Sequence, residues 1–194
     1  KISKKKKKIF IIGNYSILKK QFLKLNIKMP LVKINRLNDL KFKKKLFVLD
    51  VPLDLKSVFE TNILKSREYI FKSFEIAHKL ATEKKIRGFI NTAIDKKIFK
   101  KKYSGVTEYL SEKNKINQKE VMMIFNKKIS VVPLTTHIKI KDVYKKINLN
   151  LIKTKIITLN KSYLDLFKKK PRIAILGLNP HNSENEKNSV ENVI

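Results

Sequence analysis

The sequence predicts an α/β protein, in which a sheet is flanked by helices on both faces. Short apolar runs rich in β-branched residues alternate with longer segments whose apolar residues recur at helical spacing. The short runs are apolar at consecutive positions, which is typical of parallel strands buried on both faces. With 194 residues, 42% of them hydrophobic, the chain is long enough to bury a sizeable core.

The first half of the chain contains three predicted strands, at residues 9–13, 31–34 and 46–51. Asn14 is placed to cap a helix that runs to about Leu25, because its side chain can accept a hydrogen bond from the first turn. The strongest helical pattern lies between Thr61 and Lys84, where apolar residues recur at spacings of seven, four, three and four. This order predicts strands separated by helices.

The second half repeats the alternation. Apolar runs predict strands at residues 89–91, 121–125, 129–134 and 172–178. A second long helix is predicted from about Asn150 to Phe167, with an apolar stripe that steps by four and three residues. No glycine-, serine- or proline-rich linker divides the chain, so we expect a single α/β fragment over residues 1–194, with no internal boundary assigned.

Charge is the unusual feature of the composition. Lys and Arg number 46 and Asp and Glu 16, which gives a net charge of +30, and only four of the 46 are arginines. Proteins that read nucleic acid favour arginine for bidentate contacts, so we interpret the lysine excess as compositional drift and expect no specific nucleic-acid partner. A lysine-rich module for nucleic acid or another polyanion remains the alternative. The chain has no cysteine, which excludes disulfides and thiolate metal sites.

The amino-terminal residues place a lysine run before an apolar stretch. That stretch, residues 9–12, is four residues long, too short for a signal-peptide core or a membrane span. We therefore expect a cytoplasmic protein without a membrane partner, and a polybasic arm on anionic lipid is the alternative.

Two histidines follow predicted strands. His137 comes directly after the run 130–136, and His181 follows the predicted strand 172–178. Ligands of open α/β sheets bind beyond the carboxyl ends of the strands, so the two imidazoles are candidates to share one divalent metal ion. The alternative interpretation is that His137 and His181 are two unrelated loop residues that share no ligand.

Four short sequence words occur in a fixed order: GVTEYL at 105–110, VMM at 121–123, LTTHI at 134–138 and GLNPH at 177–181. This series resembles the 4-hydroxythreonine-4-phosphate dehydrogenase family of vitamin B6 biosynthesis. The resemblance is clear from about Arg87 to the last residue and thinner before it.

The resemblance implies a two-domain α/β homodimer shaped like isocitrate dehydrogenases, of which this chain would carry an incomplete second domain. It implies oxidation by NAD of a phosphorylated hydroxy-amino acid such as 4-phosphooxy-threonine, followed by loss of carbon dioxide. His137 and His181 match two of three histidines that hold a divalent metal, which is zinc, cobalt, magnesium or manganese. Thr107 matches a substrate-binding threonine. Lys96 matches a family loop without an assigned role, and Asp142 either orients a metal ligand or starts a helix.

The chain departs from the family pattern at three places. Val106 occupies a substrate-binding position that is normally histidine, and valine cannot donate a hydrogen bond. The segment 182–186, after His181, lacks the family's glycines. The glycine-rich opening and the carboxyl-terminal part, with the third metal histidine and much of the cofactor site, have no counterpart here. The sequence therefore predicts a fragment truncated at both ends that is inactive by itself, or a remnant that has lost catalysis.

Overall fold

A computed structural model describes residues 9–40, 45–55, 57–60, 62–100, 102–116 and 119–177. The chain divides into two compact units, residues 1–100 and 101–194. In the described residues, the first unit contains parallel strands and helices, and the second unit contains helices without a sheet. The predicted α/β class is confirmed.

The sheet of the first unit has three parallel strands. They are β1 (Phe10–Gly13), β2 (Leu31–Ile34) and β3 (Leu46–Asp50), in the order β1-β3-β2. In the centre of the sheet Leu49 pairs with Ile12 on one side and with Ile34 on the other. The three strands predicted for this part of the sequence are confirmed.

The central strand β3 is buried on both faces, as its continuous apolar run predicts. Phe47 and Leu49 join Ile34 in the core cluster, while Val48, between them in sequence, points to the opposite face and is also fully buried. Ile76 and Leu80 pack against the same cluster. Burial of these side chains stabilises the unit by roughly 1.5–3 kcal/mol for each large apolar residue.

Two helices cover the sheet, α1 (Tyr15–Lys24) and α2 (Ile63–Thr82). Asn14 caps α1 by accepting a hydrogen bond from the Ile17 N–H at 2.9 Å. Asn62 caps α2 through the Lys65 N–H in the same way. Both helices lie where the apolar periodicity predicts them.

The carboxyl end of the sheet carries a polar network. The side chain of Asn14, which is buried, also donates to the backbone oxygen of Val51 at 3.1 Å, and its own N–H donates to the Tyr69 hydroxyl at 3.0 Å. Burial raises the pKa of Tyr69, and the hydrogen bond from Asn14 opposes that rise only in part. A Cβ added at Gly13 would lie 3.0 Å from the same hydroxyl, so a larger residue at this end of β1 would press against Tyr69.

The second unit contains three helices in its described part, α3 (Val106–Lys113), α4 (Val143–Lys146) and α5 (Leu149–Phe167). Asn148 caps α5 through the Leu151 N–H. Helix α5 confirms the second long helical pattern of the sequence. Helix α3 was not predicted, because eight residues with one buried turn carry too short a periodic signal.

The four strands predicted from residue 89 onward are wrong wherever the structure describes them. Residues 89–91, 121–125, 129–134 and 172–177 are extended or irregular, and a single antiparallel pair joins Ile124 to Val131; Leu178 lies outside the described residues. Several of these apolar side chains are exposed, including Ile90 at 97% and Leu176 at 89%. A strand needs a neighbouring strand for its N–H and C=O groups, and among the described residues these segments find only that single pair.

Within the described part of the chain, no helix is both long and apolar enough to cross a membrane.

Candidate functional site

A small polar cleft lies in the second unit. Its polar lining comes from separate segments, namely Thr107 and Glu108 in α3, Glu120, Thr136 and His137 in loops, and Lys155 in α5. Met122, Pro133 and Leu134 complete its walls. The volume is about 40 Å³, which is room for an ion or for one end of a ligand with a few waters.

Helix α3 presents Thr107 and Glu108 to the cleft from its first turn. The buried ring of Tyr109 anchors this helix, packing edge-on against Tyr103 at 5.4 Å. At the other end, hydrogen bonds from the Tyr103 hydroxyl and the Lys102 ammonium lower the pKa of Glu112, whose side chain is half exposed. These contacts fix the direction of the helix and hence of its first turn.

Glu120 is held between α3 and α5. The hydroxyl of Ser111, which is buried, donates to the Glu120 carboxylate at 2.7 Å. The ammonium of Lys155 donates to the backbone oxygen of the same residue. The carboxylate of Glu120 is therefore already engaged by the protein, and its main chain ties the loop to α5.

His137 enters the cleft from an unusual backbone conformation. Its φ is +58°, in the left-handed region that side chains with a Cβ rarely adopt. The residue is exposed, so burial does not force this conformation on it. Five other described non-glycine residues share a positive φ, so His137 is a candidate for ligand contact because it lines the cleft.

The structure brings together two of the residues that the sequence singles out. Thr107 and His137 line the same cleft, whereas Val106, the first residue of α3, is not part of the lining. His181 lies outside the described residues. Asp142 ends a short 3₁₀ turn directly before α4 and makes no capping hydrogen bond.

Lys96 belongs to the first unit, where it begins a short 3₁₀ helix and is exposed.

Sequence reasoning missed Lys155. It is 9% exposed, which is rare for lysine, and lies beside the buried Ile152 on the inner face of α5. The signal is present in the sequence, since 155 falls three residues after 152 and one before 156, on the apolar stripe of the helix. A lysine at such a position is either paired in the interior or directed at a ligand.

The described residues alone do not make a metal site. Among them no three His, Cys, Asp or Glu side chains are grouped closely enough to hold a metal ion. Glu108 and Glu120 line the cleft with His137, but one of these carboxylates is engaged by Ser111. A divalent ion at His137 would need His181 and further donors.

The sequence is similar to one protein family and to individual proteins with related names. The profile of the family described as "Pyridoxal phosphate biosynthetic protein PdxA" matches residues 5–193. The 4-hydroxythreonine-4-phosphate dehydrogenase of a Sulfurihydrogenibium species is 30% identical over 200 residues, covering 100% of this chain and 61% of the relative. That of Aquifex aeolicus is 30% identical over 191 residues, covering 95% of this chain and 58% of the relative.

The chain is also similar in structure to a protein with the same name as these relatives. The crystal structure of 4-hydroxythreonine-4-phosphate dehydrogenase from Klebsiella pneumoniae superimposes with a TM-score of 0.75 and 25% identity. The match covers 91% of this chain and 56% of that one. The chain thus spans about three fifths of the length of the relatives that it matches.

Proposed function

Because the chain belongs to the PdxA family of pyridoxal phosphate biosynthetic proteins, we propose that it forms part of a 4-hydroxythreonine-4-phosphate dehydrogenase. The substrate is a phosphorylated hydroxy-amino acid such as 4-phosphooxy-threonine, and NAD accepts the hydride. One observation supports this most strongly. Thr107 and His137, selected by their sequence words alone, line the same cleft although they lie on different elements.

Each residue has a proposed role. Thr107 contacts the substrate through its hydroxyl. His137 and His181 supply two ligands of a divalent metal ion (zinc, cobalt, magnesium or manganese), and further ligands come from outside the described residues. When bound, such an ion polarises the hydroxyl that is oxidised. The oxidised product is a β-keto acid, and its carboxylate is then lost as carbon dioxide.

The chain carries only part of this machinery. Its relatives are longer by about two fifths of their length, and no cofactor fingerprint such as Gly-x-Gly-x-x-Gly occurs in the sequence. The missing hydride acceptor site and third metal ligand would come from a segment equivalent to the rest of the relatives. In the complete enzyme we propose a homodimer in the cytoplasm.

The test is an absorbance assay of NADH formation from 4-phosphooxy-L-threonine with added metal. Two proteins are compared, the chain alone and the chain fused to the carboxyl-terminal part of the Aquifex aeolicus relative. We expect turnover only in the fusion, because only there is a hydride acceptor positioned against the substrate. His137→Asn in the fusion should abolish it, whereas His78→Asn, on α2 in the first unit, is the control.

Two outcomes contradict the proposal. Turnover by the chain alone would show that the additional segment is unnecessary. A fusion that unfolds cooperatively and yet forms no NADH with any of the four metals would identify the chain as a remnant without catalysis.

A further inference from the structure

Two side chains of the cleft have unused hydrogen-bonding capacity of opposite charge. One carboxylate oxygen of Glu108, Oε2, is buried and has no hydrogen-bond partner among the described residues. Lys155, also lining the cleft, uses its ammonium for one acceptor in the described part of the chain, the backbone oxygen of Glu120. An ammonium carries three N–H donors, so two remain for another group.

The unused hydrogen-bonding capacity of Glu108 and Lys155 is not filled by an ion pair between the two side chains. Among the residues that the structure describes, the ion pairs involve neither Glu108 nor Lys155. Glu120, the remaining carboxylate of the cleft, is held by the Ser111 hydroxyl. A buried carboxylate oxygen without a donor and a buried ammonium with spare donors are each costly to leave unmatched.

We propose that Glu108 and Lys155 form a charge-selecting pair that recognises a small zwitterion, with the ligand's ammonium group at Glu108 and an oxyanion at Lys155. A simple anion satisfies only the lysine and a metal ion only the glutamate, whereas an amino acid that bears a phosphate satisfies both. The inference rests on the proposed function for the choice of ligand and adds the residues that distinguish an amino acid from a hydroxy acid.

The oxyanion at Lys155 is either the phosphate or the carboxylate of such a ligand. Both groups accept charge-assisted hydrogen bonds from an ammonium. Probes that lack one charged group at a time separate the possibilities. O-phospho-L-homoserine carries all three charged groups but not the hydroxyl that is oxidised, 4-phosphooxybutanoate lacks the ammonium, and L-homoserine lacks the phosphate.

Binding of the three probes to the chain is measured by isothermal titration calorimetry, in a chelating buffer so that no metal contributes. The wild-type chain should bind O-phospho-L-homoserine at least about tenfold more tightly than 4-phosphooxybutanoate, as expected for one charged hydrogen bond. Glu108→Gln should remove that preference, because the neutral amide no longer attracts an ammonium. Asp165→Asn, which removes an exposed carboxylate of α5 in the same unit, should retain it.

Lys155→Met keeps most of the length of the buried side chain and removes its charge and its hydrogen bond to the backbone oxygen of Glu120. It should weaken binding of O-phospho-L-homoserine at least about tenfold, whereas Lys153→Met, exposed on the same helix, should have little effect. If binding of L-homoserine is weakened equally, Lys155 holds the carboxylate; if only phosphorylated probes are affected, it holds the phosphate. Circular dichroism establishes that each variant is folded.

The inference is wrong if Lys155→Met binds like Lys153→Met, if the wild type does not distinguish the probes with and without the ammonium, or if it binds none of them. Lys155 would then only hold the loop at Glu120. Turnover by the fusion protein with these outcomes would leave the proposed dehydrogenase intact. The expected binding together with an inactive fusion would overturn the dehydrogenase and keep the zwitterion site.

Discussion

The ammonium of Lys33 lies 2.7 Å from the carboxylate of Asp50, joining β2 to the central strand β3. The same carboxylate accepts a hydrogen bond at 2.8 Å from the N–H of Tyr15, the first residue of α1. Burial alone would raise the pKa of Asp50, but the bonds from Lys33 and Tyr15 and the lysine's charge outweigh it and lower that pKa. One side chain thus connects two strands and a helix.

We predict that Asp50→Asn lowers the free energy of unfolding by about 1–2 kcal/mol at neutral pH, because the amide keeps an acceptor for Tyr15 but loses the charge. The difference from wild type should shrink as the pH falls. Since the folded pKa is below the usual 3.8, the carboxylate's contribution is complete above that value and is lost as the pH passes through the folded pKa.

Urea unfolding at a series of pH values measures this difference. Asp54→Asn is the matched control, because its side chain is 98% exposed and its ion pair to Lys65 is longer, at 3.4 Å; it should change stability by less than about 0.5 kcal/mol. A pH-independent effect of Asp50→Asn would show that the charge is not what stabilises the connection.

Asn14→Ala should destabilise the first unit by about 2–3 kcal/mol, because it removes both a helix cap and the hydrogen bond to the buried oxygen of Val51. Asn62→Ala removes only a cap and should cost about 1 kcal/mol. Guanidinium unfolding, followed by helical circular dichroism, compares the two. Equal losses would mean that the bond to Val51 contributes nothing.

Gly13→Ala should cost about 1–3 kcal/mol, because the added methyl group meets the Tyr69 hydroxyl and the Ile11 side chain. In a Tyr69→Phe background the cost should fall by roughly 1 kcal/mol, since the closest atom is gone. Gly88→Ala, whose Cβ meets nothing within 4 Å, is the control. Strict additivity in this double-mutant cycle would place the clash elsewhere.

In the fusion protein described above, Val106→His should raise kcat/KM for 4-phosphooxy-L-threonine at least about tenfold, as restoration of one charged hydrogen bond is worth roughly 1.5–3 kcal/mol. Val131→His, at an exposed valine of the same unit, is the control substitution. An unchanged kcat/KM would indicate that the substrate does not reach position 106.

Binding to nucleic acid should be weak, indifferent to sequence and steeply reduced by salt, because lysine neutralises phosphates without reading bases. Fluorescence anisotropy with two unrelated DNA duplexes, at salt concentrations of about 50 mM and about 200 mM, tests this expectation. Tight binding of only one duplex at the higher salt concentration would favour the polyanion-binding alternative over the dehydrogenase.

The sequence predicts the fold well where an element carries its own signal. Strand β3 is buried on both faces, so its apolar run identifies it without knowledge of its neighbours, and α2 and α5 are long enough for their periodicity to be clear. The runs at 121–125 and 129–134 are also rich in apolar residues but pair only at Ile124 and Val131. Composition shows that a segment can pair, whereas pairing depends on residues elsewhere.

The candidate site, too, is predicted from the sequence only in part. Local sequence words identify Thr107 and His137, and the structure adds that both line one cleft. The unpaired oxygen of Glu108 is not visible in the sequence, because hydrogen-bond satisfaction depends on contacts between distant elements. His181 lies outside the described residues, so its role as a metal ligand stays a prediction.

The exposed apolar segments of the second unit have a consequence for the behaviour of the protein in solution. Irregular chain with exposed apolar side chains such as Ile129 and Leu176 favours association between molecules. The net charge of +30 opposes such encounters by repulsion, and added salt screens that repulsion over about 10 Å at 0.1 M. Ionic strength therefore controls the colloidal stability of this chain: dilute buffer keeps molecules apart, and concentrated salt lets them adhere.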